Sequence, residues 1–140
     1  MRSRATSKWI HRGIAASFAL FLTACPQKTA VWVEEGSTAG HLVLGIGSRR
    51  GHPGDADIGV VRVYRCDRTS DGPGASWLVG PMGRTEQIKR LVYGETPSGF
   101  SSEQGPEPLT PGCYKVATSG TGTTGFTVDS LGTVTETRQR

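Results

Sequence analysis

Few residues in this chain combine types and spacings that could do chemistry. His41, His52, Asp55 and Asp57 form the one sequence cluster of metal-donor side chains. Asp55-Ala56-Asp57, within a glycine-rich stretch, has the start of a calcium loop, because hard cations collect oxygens from closely spaced acids. The further acids and the terminal glutamate of an EF-type loop are missing, so the segment reads as a solvated turn and no metal is assigned. Nucleophilic catalysis would need a serine or cysteine beside a base. The chain contains no GxSxG elbow, no HExxH and no phosphate loop opening a helix. Gly45-Ile46-Gly47 falls in a strand-like run, which is not the context of a nucleotide motif. Glu34, Glu35, Asp67 and Glu86 are scattered and form no acid–base pattern. The expectation is therefore no catalytic residue, no metal and no cofactor. Three cysteines remain to be explained: Cys25, Cys66 and Cys113.

Cys25 closes a distinctive leader. Arg2, Arg4, Lys8 and Arg12 supply a basic start, Gly13 to Leu22 is an apolar run, and Thr23-Ala24 are small residues directly before the cysteine. Basic region, short apolar region and small residues are the parts of a secretory signal, and the apolar run is shorter than the ~20 residues a bilayer span needs. With Leu22-Thr23-Ala24-Cys25 at its end, the segment resembles a bacterial lipoprotein signal and its lipobox. The resemblance implies that residues 1–24 are a signal peptide and that Cys25 is the lipidated first residue of the mature chain. Residues 25–30 would be a lipidated tether and residues 31–140 the domain. Pro26 follows the cysteine, with no aspartate to suggest inner-membrane retention. The expected location is the cell envelope, on the outer membrane facing the periplasm where the host has one.

The cut changes the charge. The leader holds four basic residues and no acid, so 16 Lys+Arg fall to 12, against 12 Asp+Glu. A neutral mature chain carries no electrostatic footprint for nucleic acid or for an anionic surface. Its 116 residues, 140 less 24, suffice for one domain with a modest core. Once Cys25 takes the lipid, Cys66 and Cys113 are left in an oxidising compartment, where a disulfide is the default.

Strand signals place these residues. Val31–Val33, His41–Gly47, Ile58–Cys66, Ser76–Val79, Cys113–Thr118, Gly125–Asp129 and Thr133–Thr137 are short apolar or alternating runs. Gly- and Pro-rich connectors separate them, and Ser130-Leu131-Gly132 is a hairpin turn. Thr85–Tyr93 carries both helical and strand spacing, and the reading favours strand because Gly94 and Pro97 leave little length for a helix. The fold class is all-β, a single small antiparallel β-sandwich. Side chains alternate along a strand, so if Val61, Val63, Tyr114 and Val116 face the core, Cys66 and Cys113 face outward. Trp32 and Trp77 are expected in the core.

Gly94–Gly112 is the longest connector, and loops of that length often bind. It is either a partner-contacting loop or a proline-stiffened crossover between sheets. Phe100, flanked by Gly99 and Ser101, is the candidate contact residue. As the alternative to a binding tip, it anchors the connector to the core.

Tyr93-Gly94, Pro97-Ser98-Gly99-Phe100 and Leu109-Thr110-Pro111-Gly112-Cys113-Tyr114-Lys115-Val116, followed by Gly125-Phe126-Thr127-Val128-Asp129, resemble a group of small bacterial lipoproteins with a β-sandwich domain. The Leu-x-Pro-Gly-x-Tyr-x-Val element also occurs in transthyretin-like and fibronectin-like modules, and the expected sandwich is immunoglobulin-like or transthyretin-like. Val60–Tyr64 is similar to a strand of the transthyretin-like lipoprotein of type VI secretion complexes. Tyr64-Arg65-Cys66 is loosely similar to membrane-bound lysozyme inhibitors. These resemblances imply a fold. The expected function is a lipid-anchored envelope protein, structural or protein-binding, with an envelope protein as partner and the membrane held through lipid. The alternative is an inhibitor of an extracytoplasmic hydrolase such as lysozyme.

Overall fold

The computed structural model describes residues 28–68, 74–84, 87–119 and 122–137. The leader and Cys25 lie outside these residues. In chain order the strands are β1 Ala30–Val33, β2 Val43–Arg49, β3 His52–Pro53, β4 Val61–Arg65 and β5 Ala75–Pro81. They continue with β6 Arg90–Val92, β7 Phe100–Gln104, β8 Gly112–Thr118, β9 Thr123–Val128 and β10 Val134–Thr137. Two antiparallel sheets pack face to face. The smaller runs β1-β2-β3, with β6 also paired to β2, and the larger runs β10-β9-β8-β4-β5-β7.

The pattern of β4 and β8 explains the packing. Val61 and Val63 are fully buried while Arg62 and Tyr64, which alternate with them, are half-exposed. Tyr114 and Val116 are buried opposite, in a register that pairs Val63 with Val116 and Arg65 with Tyr114. Alternation at period two sends one set inward and the other to solvent. Trp77, Tyr114, Phe126, Leu44, Ile46 and Leu91 are among the large side chains that fill the space between the sheets. Tyr114 and Phe126 stack with centroids 5.2 Å apart. Trp77 meets Tyr93 edge-on at 5.1 Å.

Trp32 departs from expectation. It is 5% exposed but lies outside the core cluster, on the outer face of the smaller sheet. Gly45 is its paired residue on β2, and a Cβ there would overlap the indole. The glycine makes the shelf on which the ring lies flat, and Trp32 Nε1 donates to Glu34 Oε1 at 3.2 Å.

Three sequence boundaries move. Gly94–Gly112 is no uninterrupted connector, because β7 lies within it and pairs with β5 at the sheet edge. Its Phe-Ser-Ser-Glu-Gln sequence shows one apolar residue, since an edge strand covered on one face needs no more. Ala30, assigned to the tether, opens β1, and Thr29 is 5% exposed with its hydroxyl donating to the Asp57 carbonyl at 2.8 Å. In the ambiguous 85–93 segment, Arg90–Val92 is strand and Leu91 enters the core.

The sandwich has two ends. Residue 28, the β2–β3 turn, the start of β9 and the finish of β10 share one, here the tether end. The β1–β2 loop, the residues after β6 and β7 and the β9–β10 turn share the other, the loop end. There Ala39 N donates to the Gly132 carbonyl at 2.8 Å, and Thr38 bridges Thr133.

Candidate docking surface at the loop end

Two devices hold the loop end rigid. Cys66 and Cys113 form a disulfide across β4 and β8, with Cα atoms 5.4 Å apart and Cys66 N donating to the Cys113 carbonyl at 3.0 Å. Cys113 is exposed and Cys66 half-buried, on the face opposite Val63 and Tyr114, as alternation predicts. Beneath the bridge, the Tyr114 hydroxyl accepts from Thr110 N at 3.1 Å and donates to the Thr110 carbonyl at 2.9 Å. A tyrosine bonded to backbone four residues upstream pins a strand-to-loop corner, as in immunoglobulin-like sandwiches. The Arg65 guanidinium lies 5.5 Å from the Tyr114 ring centroid and closes the core at this end.

The connector after β7 is clamped as well. Glu107 N donates to the Ser76 carbonyl at 2.8 Å, and the Tyr93 hydroxyl donates to the Glu107 carbonyl at 2.7 Å. Gly105 has φ of 74°, and a Cβ there would overlap the Ser76 carbonyl, so this close approach requires glycine. Burial pushes the Tyr93 phenol well above its usual range, and Tyr114 and Glu107 nearby push it further. It therefore stays a neutral hydrogen-bond donor. Leu109, 9% exposed, ties the far side of the segment to the core.

Between this clamp and the β1–β2 loop lies an open groove of about 460 Å³. Ala39, Gly40, Tyr93, Pro106, Glu107, Pro108 and Leu109 line it. The Ala39–Gly132 hydrogen bond brings the β9–β10 turn alongside, and at its tip Leu131 is 89% exposed. Asp129 Oδ1 shapes that turn, accepting from Thr133 N at 2.8 Å and Leu131 N at 2.9 Å. The hydrogen bond from Thr133, more than that from Leu131, holds the Asp129 carboxyl below the usual carboxylate range. Glu107 is the acid in the groove wall, and further acids share this end of the sandwich: Glu34 and Glu35 after β1, Glu95 after β6 and Asp129 in the turn. Glu107 pairs with Arg68 at 3.5 Å. The chemistry offered is a firm apolar contact surface with an acidic rim.

The residues singled out from sequence are distributed differently. Phe100 is 4% exposed within the core cluster. Its place opposite Pro81 turns the ring inward, so it anchors the connector and is not a contact residue. The connector that it anchors does supply the groove wall, through Pro106 to Leu109. His41 precedes β2 and His52 follows it, so the length of that strand separates them. Asp55 is spent on Ser48, its Oδ1 accepting Ser48 N at 2.5 Å and its Oδ2 accepting the hydroxyl at 2.6 Å. Among the described residues, no group of three His, Cys, Asp or Glu is placed to hold a metal. Leu131 escaped the sequence reading because Ser130-Leu131-Gly132 registers as a turn. Its signal was the apolar residue at a turn position where polar residues are usual.

No family model, curated protein or solved structure matches this chain.

Proposed function

We propose that this protein is a lipid-anchored envelope module that docks a protein partner at the loop-end groove and carries out no catalysis. The observation that carries the reading is the open apolar groove beside Leu131. A disulfide, a tyrosine corner and the Tyr93–Glu107–Ser76 clamp hold it. An exposed leucine at a rigid tip suits a contact anchor, because the surface is ordered before binding and loses little freedom on docking. The acidic rim favours a partner with basic residues around an apolar pocket.

Anchoring is supported by the sequence alone. The basic-apolar leader ending in Leu22-Thr23-Ala24-Cys25 implies acylation at Cys25. One chain binds membranes reversibly, and stable attachment takes more than one; the lipoprotein resemblance implies several on the one cysteine. Lys28 and the groove belong to opposite ends of the sandwich. An anchor at Cys25 therefore directs the groove away from the bilayer, toward the periplasm in an outer-membrane setting.

Photo-crosslinking residues introduced at Leu131 and Pro108, with a control at Thr135 on β10, test this reading. The expected result is one envelope protein captured from both loop-end positions and not from Thr135. Leu131→Glu should abolish capture and leave the melting midpoint unchanged. Equal capture from all three positions, or capture that survives Leu131→Glu, refutes the docking surface. A captured lysozyme or other hydrolase whose activity falls on binding would make the same groove an inhibitory one.

A further inference from the structure

We infer that the tether end is a membrane-apposed face, built to lie against the phosphate headgroups of an anionic bilayer; the inference rests on the anchoring reading above. The mature chain is neutral in sum, but the fold separates its charges. Lys28, Arg49 and Arg50 line one open cleft of about 420 Å³ with Thr29, Ser48 and Thr123. Lys89 packs over Gly54 at the same end. Arg84 follows β5, whose last residue, Pro81, also lies at that end, where Met82 N donates to the Gly99 carbonyl at 2.9 Å.

Among the described residues, three acids at this end, Asp55, Asp57 and Glu136, stand against the five bases Lys28, Arg49, Arg50, Arg84 and Lys89. Glu136 pairs with Arg50. The Asp55 carboxylate accepts from Ser48, and Asp57 is the third acid at this end. The loop end reverses the balance. Arg65 and Arg68 there are matched to Asp67 and Glu107, at 3.5 Å each. Glu34 and Glu35 after β1, Glu95 after β6 and Asp129 after β9 add four more acids there among the described residues. The domain is thus a dipole with its positive end at the tether.

Two further observations identify the occupant as the bilayer that holds Cys25. Two residues separate Cys25 from Lys28, three steps of chain with a reach of at most about 11 Å. The Debye length is ~8 Å at physiological ionic strength, so the basic face remains within range of the surface potential. Met82, 70% exposed, stands on the same end, where an apolar side chain can enter the headgroup layer.

The test uses acylated protein purified from membranes and reconstituted into vesicles of phosphatidylcholine alone or mixed with phosphatidylglycerol. Met82→Trp and Leu131→Trp report the two ends through quenching by brominated lipid, each read as the difference from the unsubstituted protein. The expected result is quenching at position 82 several-fold above that at 131 in anionic vesicles, falling in neutral ones. Lys28→Glu with Arg49→Glu should lower the ratio of apposed to free orientations by about fivefold or more for each charge removed. Equal quenching at 82 and 131, or quenching indifferent to lipid charge, overturns the inference. So does loss of quenching with inorganic phosphate where chloride at equal ionic strength has no effect, since that marks a discrete phosphate site. Protein recovered without an acyl chain would instead defeat the anchoring reading, which keeps the two failures apart.

Discussion

Replacing Cys66 and Cys113 together by alanine should lower stability by about 4 kcal/mol without dissolving the core. The bridge spans a sequence separation of 47 residues. On the chain-entropy model, closing a loop of that size removes about 14 cal/mol/K from the unfolded chain, or about 4 kcal/mol at 25 °C. The unfolding entropy of a domain this size is about 0.2 kcal/mol/K, so the melting midpoint should fall by about 15–20 °C. The transition should stay cooperative. The bridge lies on the outer face, Tyr114 and Val63 pack on the other side, and the Thr110–Tyr114 corner holds the same strand end independently. Calorimetry of the oxidised protein, the reduced protein and the double variant measures this. A shift of only a few degrees would show that the unfolded chain gains little freedom on losing the bridge. A broad, non-cooperative transition would show that the disulfide, and not the tyrosine corner, organises the loop end. Either result would refute the reasoning.

Phe100→Ala should cost about 3–5 kcal/mol, measured by denaturant unfolding, because the ring is buried in the core; a loss below 1 kcal/mol would return Phe100 to the surface. Gly45→Ala should cost about 1–3 kcal/mol and shift the fluorescence of Trp32, since the new methyl displaces the indole from its shelf. Hydrogen bonds hold the carboxyls of Asp55 and Asp129 below the ordinary value of 3.8. Their folded values lie below the unfolded ones, so their contribution is complete above about pH 4 and is lost as pH falls through the folded values. At the other extreme, the raised Tyr93 phenol contributes fully below its ordinary value of 10.0 and loses that contribution as pH rises beyond it. Melting midpoints across pH should therefore fall at both limits, and Tyr93→Phe should flatten the alkaline limb.

The larger architecture was readable because burial follows alternation. Val61-Arg62-Val63-Tyr64 and Tyr114-Lys115-Val116 announce one wet face and one dry face, and from them the outward disulfide followed. β7 was illegible for the converse reason. An edge strand covered on one face needs only Phe100, and Ser101 to Gln104 look like loop. Trp32 misled because its burial comes from the absence of a side chain at Gly45, a relation between two strands that neither sequence run contains. The groove was half-visible. The connector carrying Pro106 to Leu109 was identified, but its partner wall, Ala39-Gly40, and the neighbouring Leu131 come from distant turns that only the sheet register brings together. The charge dipole was hidden by a net charge of zero, which reports a sum and not a distribution.

The central claim, a β-sandwich held to a membrane through Cys25 with its groove facing away, is tested most directly by intact-mass analysis of the protein from the membrane fraction. The account predicts a chain that begins at Cys25 and carries the added mass of several acyl chains, with Cys25→Ala recovered in the soluble fraction. A membrane-bound chain that retains residues 1–24, or one that begins at Cys25 without added acyl mass, would contradict it.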